Sequence, residues 1–308
     1  MRILIVGSSG FVGQNFLDYL FNKREIEIHT LDRVQNEQDG LIAHTWDEFQ
    51  NLDLATIAKV FYFTGKAHDI KKNASDQEYF DVNVGLLKTF LQRAQQSEFS
   101  GQIVYLSSVK AVADSVEGIL TEEQIPLPKT SYGKSKLAAE ELLKSSVFAT
   151  QTYILRPCMI HGKGNKGNLN QLFGFVKKGI PNLLAAYTNE RSLLSIDNLV
   201  HVFDEIIHNR LPIDTYHVAD EGYISTHEIM DVIGNTIGKK VFHIKLPPFL
   251  VLALAKVGDY LPLPLNSERL QKLTENYRVS NDKLQKKMTT MLPLPLKKGL
   301  KNTIQTFE

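Results

Sequence analysis

The sequence has little of several features that would mark other classes of protein. Among its 308 residues there is one cysteine, Cys158, so no disulfide can form within the chain, and a reducing compartment fits that composition. Lysine plus arginine number 35 and aspartate plus glutamate 34, for a formal net charge of +1. Such a balance offers neither an electrostatic footprint for nucleic acid nor a polybasic membrane anchor. We therefore expect a cytoplasmic protein that does not bind nucleic acid.

Long apolar runs and metal-binding motifs are also missing from the sequence. The opening "MRILIVG" is too short an apolar run for a signal peptide. The most apolar later stretch, "FLVLALAKV" at 249–257, is well below the ~20 residues that span a bilayer. We expect no membrane insertion, and predict a buried or half-buried helix there. The histidines and the cysteine show no ligand spacing such as His-Glu-x-x-His or Cys-x-x-Cys, so we predict no metal.

What the first half does contain is a regular alternation of short strand-type runs with helical stretches. Helical patterns include 75–96 and the stretch that begins at 131. The predicted strands are 2–7, 26–32, 58–64, 102–108 and 152–157. This alternation predicts an α/β fold, a Rossmann-type doubly wound parallel sheet with helices on both faces. Several strands are almost wholly apolar, as expected when both faces are covered.

The alternation weakens after Pro157, which suggests a second, smaller lobe. The segment 161–171 holds three glycines and is predicted to be a loop, and strand-like runs return at 191–197 and 215–220. We therefore predict an NAD(P)-binding Rossmann domain formed by 1–157 plus 191–221. A smaller mixed C-terminal lobe, 158–190 plus 222–308, is predicted to bind substrate.

A glycine triplet directly after the first strand points to a dinucleotide. Gly7, Gly10 and Gly13 lie between that strand and the opening of a helix. Glycine allows the tight turn and the close approach of backbone to a pyrophosphate, and the helix N-terminus supplies free N–H donors for the anion. The strand–turn–helix context makes a structural turn the weaker interpretation.

The end of the second predicted strand bears on which dinucleotide is bound. Asp32 lies 19 residues past Gly13, where an acid accepts hydrogen bonds from the ribose hydroxyls of NAD. Arg33 follows at once and suits the 2′-phosphate of NADP instead. Because the acid repels that phosphate, we favour NAD and leave NADP open.

The stretch "TSYGKSKLAAEELL" at 130–143 places a phenol and an ammonium on one helical face. Tyr132 and Lys136 are four residues apart, which brings their Cβ atoms to roughly 5–6 Å. A cation that close favours the phenolate and lowers the pKa of the tyrosine. The pair predicts a proton-transfer device, although by itself it fits an ordinary solvated helix face equally well. Ser108, at the end of a predicted strand, is placed where ligands bind in open α/β sheets.

Together these motifs resemble the extended short-chain dehydrogenase/reductases, in particular the nucleotide-sugar epimerase/dehydratase family, over nearly the whole chain. The segments "LSS" and "SYGKSK" match the catalytic set of that family. "RSLLSIDNLV" and the C-terminal "VSNDKLQKK" segment also look like family patterns. The segments "GSSGFVG", "VFYFTGKAHD" and "YFDVNVGLLKTF" are similar to its cofactor-binding segments, which adds Ser9, Phe11, Val12, Phe63, Thr64, Gly65 and Asn83 to the expected cofactor-binding residues.

The resemblance implies a mechanism of hydride transfer between a sugar carbon and nicotinamide. Tyr132 would act as acid and base, Lys136 would lower its pKa and bind the nicotinamide ribose, and Ser108 would orient the reacting oxygen. Arg191 is our candidate for the substrate diphosphate, because a guanidinium grips phosphate bidentately. Asn168 and Leu169 are expected near the phosphate and base. By family analogy we expect a homodimer built on helices near 75–96 and 131–148.

Two departures from the family pattern narrow the reaction. Sugar 4,6-dehydratases of the family carry an acid pair just after the catalytic Ser/Thr, and here Val109 and Lys110 occupy those positions. Since the elimination needs both an acid and a base, we predict no 4,6-dehydratase activity. Met159 replaces an asparagine that is frequent in the family, which puts one substrate contact in doubt.

The remaining reactions need only the tyrosine, the lysine and a nicotinamide. We favour a 4-epimerase of a UDP-hexose or UDP-N-acetylhexosamine. The alternatives are an NAD(P)H-dependent 4-ketoreductase of a UDP-4-keto-6-deoxy-hexosamine, a reductase of small carbonyls, and a non-catalytic dinucleotide-binding sensor or scaffold.

Overall fold

The structure is a computed structural model that describes residues 1–23, 25–35, 38–66, 75–165, 167–261 and 265–307. The side chain of Asn168 lies outside that description.

The strands and helices follow one another in the predicted alternation over the first half of the chain. The strands are β1 (Arg2–Val6), β2 (Glu27–Asp32), β3 (Leu41–Thr45), β4 (Lys59–Tyr62), β5 (Gln102–Leu106), β6 (Ile119–Leu120), β7 (Thr152–Pro157), β8 (Met159–His161), β9 (Leu193–Ser195), β10 (Thr215–Val218) and β11 (Arg278–Val279). The helices are α1 (Phe11–Leu20), α2 (Asp76–Phe80), α3 (Leu86–Gln96), α4 (Ser131–Lys144), α5 (Asn168–Lys177), α6 (Ile196–Ile207), α7 (Thr226–Thr236), α8 (Pro248–Tyr260), α9 (Ser267–Thr274), α10 (Asp282–Lys287) and α11 (Leu296–Gln305).

Seven parallel strands form the main sheet, in the order β10-β7-β5-β4-β1-β2-β3. The chain moves outward from β1 to β3, then crosses back to β4 and proceeds in the other direction. The strand order therefore reverses between β1 and β4, and a crevice forms beyond the carboxyl ends of strands at such a point. The predicted Rossmann-type doubly wound sheet is confirmed.

Apolar side chains cover the sheet on both faces. Along β1, Ile3 and Ile5 belong to a cluster that includes residues of α1 and α6. Leu4 and Val6 alternate with them and join a second cluster with α3 and α4. Both faces of this central strand are consequently buried, which explains its unbroken apolar run.

The predicted helix 75–96 is a continuous helical run with a π-helical turn in its middle. Ser75 caps it, since its hydroxyl accepts a hydrogen bond from Glu78 N. The backbone is α-helical in α2, passes through a π-helical turn at Asp81–Gly85 and returns to α-helix in α3. Such turns are rare and occur frequently at functional sites.

The second half of the chain departs from the sequence prediction in two places. The predicted loop 161–171 is wrong at its end, because α5 begins at Asn168 and buries an apolar face with α7 and α11. The predicted strand 191–197 shortens to β9, which pairs with β8 outside the main sheet, and Ser195 then caps α6. β3 was not predicted; it pairs with β2 at the edge of the main sheet. The boundaries of the two lobes stay a prediction.

Helix α8, predicted to be buried or half-buried, is buried along one narrow face. Val251, Ala255 and Gly258 are buried, whereas most of its other side chains are exposed. Among the described residues, none of the helices combines the length and the apolar character required to cross a membrane.

Candidate active site

The glycine-rich turn lies at the switch point and is too tight for any other residue at two of its positions. Gly7 has φ +92°, and a Cβ there would lie 2.8 Å from Thr64 N. A Cβ on Gly13 would lie 2.4 Å from Gly7 O. Gly10 is the N-cap of α1, so unpaired amides at this end of the helix are available to an anion.

Two adjoining pockets make one groove across the carboxyl ends of the strands. The first has a volume of about 550 Å³ and includes Ser9, Asp32, Arg33 and Thr64 in its lining. The second, of about 360 Å³, is lined by residues that include Phe11, Val12, Gly13, Ser108, Tyr132 and Lys136. Both pockets are lined by Gly7, Gly10, Phe63, Gly65 and Lys66. The groove therefore runs from the end of β2 to the start of α4.

Asp32 anchors the glycine-rich turn from the end of β2. Its buried carboxylate accepts hydrogen bonds from the hydroxyls of Ser8, at 2.5 Å, and Ser9, at 2.7 Å. It also accepts from both backbone amides, at 3.1 and 3.2 Å. Arg33 is exposed beside it on the lining of the larger pocket. The predicted ribose acceptor thus also fixes the turn, and it places negative charge at the wall of that pocket.

The structure brings Ser108, Tyr132 and Lys136 together on one pocket, as the sequence motifs predicted. Ser108 follows β5 and caps a short turn at Val109–Ala111, where its Oγ accepts a hydrogen bond from Lys110 N at 3.2 Å. Its hydroxyl also hydrogen-bonds the Tyr132 side chain. Thr130 caps α4 and accepts from Gly133 N, so the first turn of that helix presents Tyr132 to the groove.

The electrostatics of this pair differ from the sequence prediction. Burial raises the pKa of Tyr132, and the hydrogen bond with Ser108 opposes that rise only in part. Burial lowers the pKa of Lys136 to about 8, against the influence of Glu140. Lys136 Nζ donates to Leu106 O at 2.9 Å and lies 3.5 Å from the Tyr105 hydroxyl. The expected lowering of the tyrosine pKa is therefore wrong for this structure, because desolvation is the largest influence on the phenol and exceeds the opposing hydrogen bond with Ser108.

A buried ion pair links α4 to the neighbouring strands of the main sheet. Glu140, one turn after Lys136, accepts hydrogen bonds from Arg156 Nε at 2.9 Å and Arg156 Nη2 at 2.6 Å. It also accepts from Ser107 Oγ at 2.5 Å. These contacts tie α4 to β5 and β7, and so fix the positions from which Ser108 and Lys136 project.

Asn83 acts on the groove through a neighbouring segment. It lies in the π-helical turn, fully buried, where its Oδ1 accepts from Lys66 N at 2.7 Å and its Nδ2 donates to Ser135 Oγ at 2.8 Å. A Cβ on Gly65 would lie 2.9 Å from Asn83 Oδ1 and 3.0 Å from Lys136 Nζ. Asn83 therefore holds the Gly65–Lys66 wall of the groove, whereas Phe63, Thr64 and Gly65 line it directly.

Arg191 is the centre of a second cationic region. Its side chain is 13% exposed, and its Nη2 lies 3.7 Å from Glu275 Oε1. Its Nε and Nη2 have no hydrogen-bond partner within the residues that the structure describes. Lys110, whose pKa burial lowers, and Lys272 are close enough to interact electrostatically with this region. We call Lys110, Arg191, Lys272 and Glu275 the Arg191 cluster.

The two other predicted substrate-binding residues begin α5. The side chain of Leu169 is buried in the apolar core that α5 shares with α7 and α11, so it offers a ligand only its backbone. Asn168 is the first residue of the helix, and its side chain lies outside the described residues. Asn168 and Leu169 therefore lie at the start of a helix, and not in the loop that the sequence predicted.

Sequence reasoning missed several residues of the site. Trp46, Lys66 and Val82 line the larger pocket. Trp46 follows β3, which carries no strong strand pattern, so no signal in the sequence placed it there. Glu275 and Lys272 come from a distant part of the chain and meet Arg191 only in the folded protein. Within the described part of the chain, no group of three or more His, Cys, Asp or Glu side chains is arranged to hold a metal.

The fold and the groove define a dinucleotide-binding α/β protein with a serine, tyrosine and lysine at the far end of its cofactor cleft. Comparison with known proteins agrees with that class. The sequence model of the NAD dependent epimerase/dehydratase family matches residues 3–219, and the chain belongs to that family.

Similar curated proteins cover almost the whole chain. One is a UDP-glucose 4-epimerase of Vibrio cholerae, 28% identical over 324 aligned positions that cover 99% of this chain and 95% of the relative. Another is an N-acetyl-α-D-glucosaminyl-diphospho-ditrans,octacis-undecaprenol 4-epimerase of Escherichia coli O157:H7, 26% identical, with 99% of this chain and 94% of the relative covered.

Solved structures share the fold at lower sequence identity. UDP-glucuronic acid 4-epimerase from Bacillus cereus, in complex with NAD, has a TM-score of 0.75 at 15% identity, with 100% of this chain and 98% of that chain covered. A dTDP-glucose 4,6-dehydratase from Bacillus anthracis, in complex with NAD, has a TM-score of 0.71 at 17% identity, with 100% and 96% covered. Epimerases and a dehydratase thus share this architecture, so the fold by itself does not select the reaction.

Proposed function

We propose that this protein is a nucleotide-sugar 4-epimerase that uses NAD at C4 of a UDP-hexose or UDP-N-acetylhexosamine. The observation that carries the proposal is the meeting of Ser108, Tyr132 and Lys136 in a pocket continuous with the glycine-rich turn. A family member that served only as a dinucleotide sensor or scaffold would not need these three side chains together. The similar 4-epimerases, which span the full length of this chain, support the choice of reaction.

The groove fits a dinucleotide. The glycine-rich turn and the start of α1 receive the pyrophosphate, since the missing side chains at Gly7 and Gly13 let the backbone approach it. Asp32 gives the adenosine end of the groove a negative charge, which favours the 2′-hydroxyl of NAD over the 2′-phosphate of NADP. When bound, NAD accepts a hydride from the sugar and returns it.

The protein's own groups then handle the proton and the oxygen at C4. Ser108 Oγ hydrogen-bonds the C4 oxygen and aligns it with Tyr132, to which it is already hydrogen-bonded. Tyr132 takes the proton of the C4 hydroxyl as the C4 hydride departs, and gives it back after the ketone has turned its other face. The ammonium of Lys136 stabilises the phenolate form of Tyr132 before it takes the proton and again after it has returned it. It does so with most effect when ligands exclude water, because charge interactions strengthen in a dry site.

The Arg191 cluster is the proposed site of the substrate diphosphate. Two nitrogens of a buried guanidinium lack hydrogen-bond partners within the described residues, and an anion with several acceptor oxygens satisfies both. Lys110 and Lys272 add positive charge, which is partly offset by Glu275, by Asp114 near Lys110 and by Glu268, which pairs with Lys272 at 2.8 Å. The amides at the start of α5, near Asn168 and Leu169, are proposed to meet the phosphate or the base.

We further propose that the protein is not a 4,6-dehydratase. Val109 is buried and apolar, and the Lys110 ammonium donates to Asp114 O at 2.7 Å and lies 4.0 Å from the Tyr277 ring centroid. Neither side chain supplies the carboxylate that would remove or deliver a proton across C5 and C6.

Purified protein incubated with UDP-glucose, UDP-N-acetylglucosamine and their 4-keto-6-deoxy derivatives tests these assignments. A 4-epimerase interconverts the C4 epimers without net change in cofactor. Stoichiometric consumption of NADH or NADPH on a 4-keto sugar would instead establish the 4-ketoreductase alternative, and release of a 4-keto-6-deoxy product from a UDP-hexose would refute the exclusion of dehydratase activity.

The remaining expectations also stay proposals. We propose a cytoplasmic homodimer in which the outer faces of α3 and α4, which lie near one another on one side of the sheet, pack against the same faces of a second copy. Light scattering that finds only monomer at micromolar concentration would reject the dimer.

A further inference from the structure

Helix α8 presents an apolar surface on the side that faces away from its own domain. Its inner face consists of Val251, Ala255 and Gly258, spaced four and three residues apart, and packs beside Leu270 of α9. A helix at the surface of a protein in water normally carries polar residues on the opposite face. Here the opposite face is apolar too.

The outward side chains are large and well exposed. Phe249 is 68% exposed, Leu252 is 51% exposed and Tyr260 is 91% exposed. We call the full set the α8 surface; it consists of Phe242, Ile244, Phe249, Leu250, Leu252, Leu254, Val257, Tyr260 and Leu261. These side chains are all exposed within the described part of the chain, and an accumulation of large exposed apolar side chains marks a site of interaction.

Lysines are frequent in the segment that carries the α8 surface. Between 239 and 261 the chain carries four lysines and one aspartate, although the whole protein has a formal net charge of only +1. Lys239, Lys240 and Lys245 lie on the segment that leads into the helix, and Lys256 lies on the helix itself. Lys240 Nζ sits 5.5 Å from the centroid of the Phe242 ring, so a cation and an exposed aromatic ring are presented together.

This combination selects between the two occupants that an apolar patch could have. In a two-fold dimer the same patch meets itself, which would bring two surfaces of net positive charge together. An anionic bilayer offers the complementary arrangement, with acyl chains for the apolar side chains and negative headgroups for the lysines. The charge pattern therefore favours a lipid surface over a second copy of the chain.

The length of the helix decides how it would meet the lipid. α8 has 13 residues, which extend about 20 Å, less than the ~30 Å hydrocarbon core of a bilayer. We propose that the α8 surface lies flat on an anionic phospholipid bilayer and docks the protein there, without crossing it. The inference is independent of the proposed activity, since none of these residues lines the groove.

Cosedimentation of the full chain with vesicles tests the proposal. We expect the protein to sediment with vesicles of phosphatidylcholine and phosphatidylglycerol, and to bind phosphatidylcholine alone more weakly. The double variant Phe249→Ser/Leu252→Ser should lower the affinity at least about tenfold, because two large apolar side chains no longer enter the lipid. Lys240→Gln/Lys245→Gln should reduce the preference for the anionic vesicles and its sensitivity to salt; Lys239 is left intact because its ammonium donates to Lys177 O.

A matched control distinguishes the α8 surface from exposed apolar residues in general. Met291 is 84% exposed but lies elsewhere, so Met291→Ser should leave vesicle binding unchanged. Circular dichroism melts establish that each variant is folded. Failure of the wild-type protein to bind anionic vesicles, or full binding by the Phe249→Ser/Leu252→Ser variant, would overturn the proposal. So would self-association of the wild type that this variant abolishes while neither protein binds lipid.

Discussion

Two buried charged groups, Glu140 and Lys136, lie one helical turn apart on α4, and they differ in whether their charge is paired. Glu140 is fully buried and fully paired, with hydrogen bonds from Arg156 and Ser107. Lys136 is buried as well, but it donates to the neutral carbonyl of Leu106, and within the described residues it forms no ion pair. The first arrangement satisfies its charges, and the second leaves a cation that burial disfavours.

The contrast between Glu140 and Lys136 distinguishes a charged group that stabilises the fold from one that serves the reaction. A paired buried charge fixes strands and helices relative to one another, whereas an unmatched one costs stability and persists where function requires it. Arg191 resembles Lys136, because two of its nitrogens have no hydrogen-bond partner in the described part of the chain, although Nη2 lies 3.7 Å from the Glu275 carboxylate. On this account Lys136 and Arg191 are reserved for anionic oxygens, those of a phenolate and of a diphosphate respectively.

The largest expected effect is on turnover, when the phenol that Lys136 serves is removed. Tyr132→Phe should lower kcat by about 10²–10⁴, the usual contribution of a general acid and base. The fold should be retained, because the phenyl ring preserves the edge contact with Tyr79, whose centroid lies 6.2 Å away. Steady-state kinetics and a thermal melt measure the two quantities. Unchanged turnover on a substrate that the wild type converts would remove Tyr132 from the chemistry.

For the buried Arg156–Glu140 pair, the expected loss is in the stability of the fold. Arg156→Met leaves Glu140 buried without its partner, which should lower the free energy of unfolding by about 3–5 kcal/mol. Urea denaturation followed by circular dichroism measures it. The double variant Arg156→Met/Glu140→Leu should recover most of the loss, because no charge is then stranded. A loss well below ~1 kcal/mol in the single variant would show that the pair does not stabilise the fold.

A smaller effect is expected at the diphosphate site. Arg191→Ala should weaken UDP binding by about tenfold or more, since hydrogen bonds to a charged group each contribute about 1.5–3 kcal/mol. Titration calorimetry with UDP measures the change. Arg210→Ala is the control, because Arg210 pairs with Asp204 at 2.8 Å away from the groove. Equal affinities of the two variants for UDP would show that Arg191 does not bind the diphosphate.

The smallest expected effect is the pH dependence that the titration of Lys136 gives to the reaction. Its pKa is lowered by burial to about 8, so its positive charge is lost as the pH rises through that value. The value of kcat/KM, which reports groups of the free enzyme, should therefore fall on the alkaline side of about pH 8. Carbon-13 NMR of labelled lysines should show a resonance with that midpoint that disappears in Lys136→Met. The resonance of Lys59, whose pKa burial also lowers to about 8, should remain in that variant.

The parts of the site that the sequence predicted are those that local spacing determines. The glycine-rich turn needs a strand, a tight turn and a helix start within residues 2–20, and all three are legible there. Tyr132 and Lys136 share a face because four residues make about one helical turn. The alternation of strands and helices then gives the parallel sheet, and the sheet places Ser108 beside both.

What the sequence did not predict depends on burial and on contacts between distant segments. The pKa of Tyr132 is raised because the folded chain excludes water from the phenol, and residue spacing carries no information on that exclusion. The side chain of Leu169 faces a core built from α5, α7 and α11, so only its backbone stays a candidate for substrate contact. Glu275 meets Arg191 across 84 positions of sequence.

The most direct test of the contrast between Lys136 and Glu140 is to measure turnover and unfolding together in Lys136→Met. Folding lowers the pKa of Lys136 from 10.5 to about 8, so below pH 8 the buried charge destabilises the native state, and the penalty disappears as the pH rises to 10.5. At pH 7 we expect Lys136→Met to lose activity while its free energy of unfolding equals that of the wild type or exceeds it by up to about 3 kcal/mol. A loss of stability as large as that of Arg156→Met would show that Lys136 is a structural group, and would contradict the account.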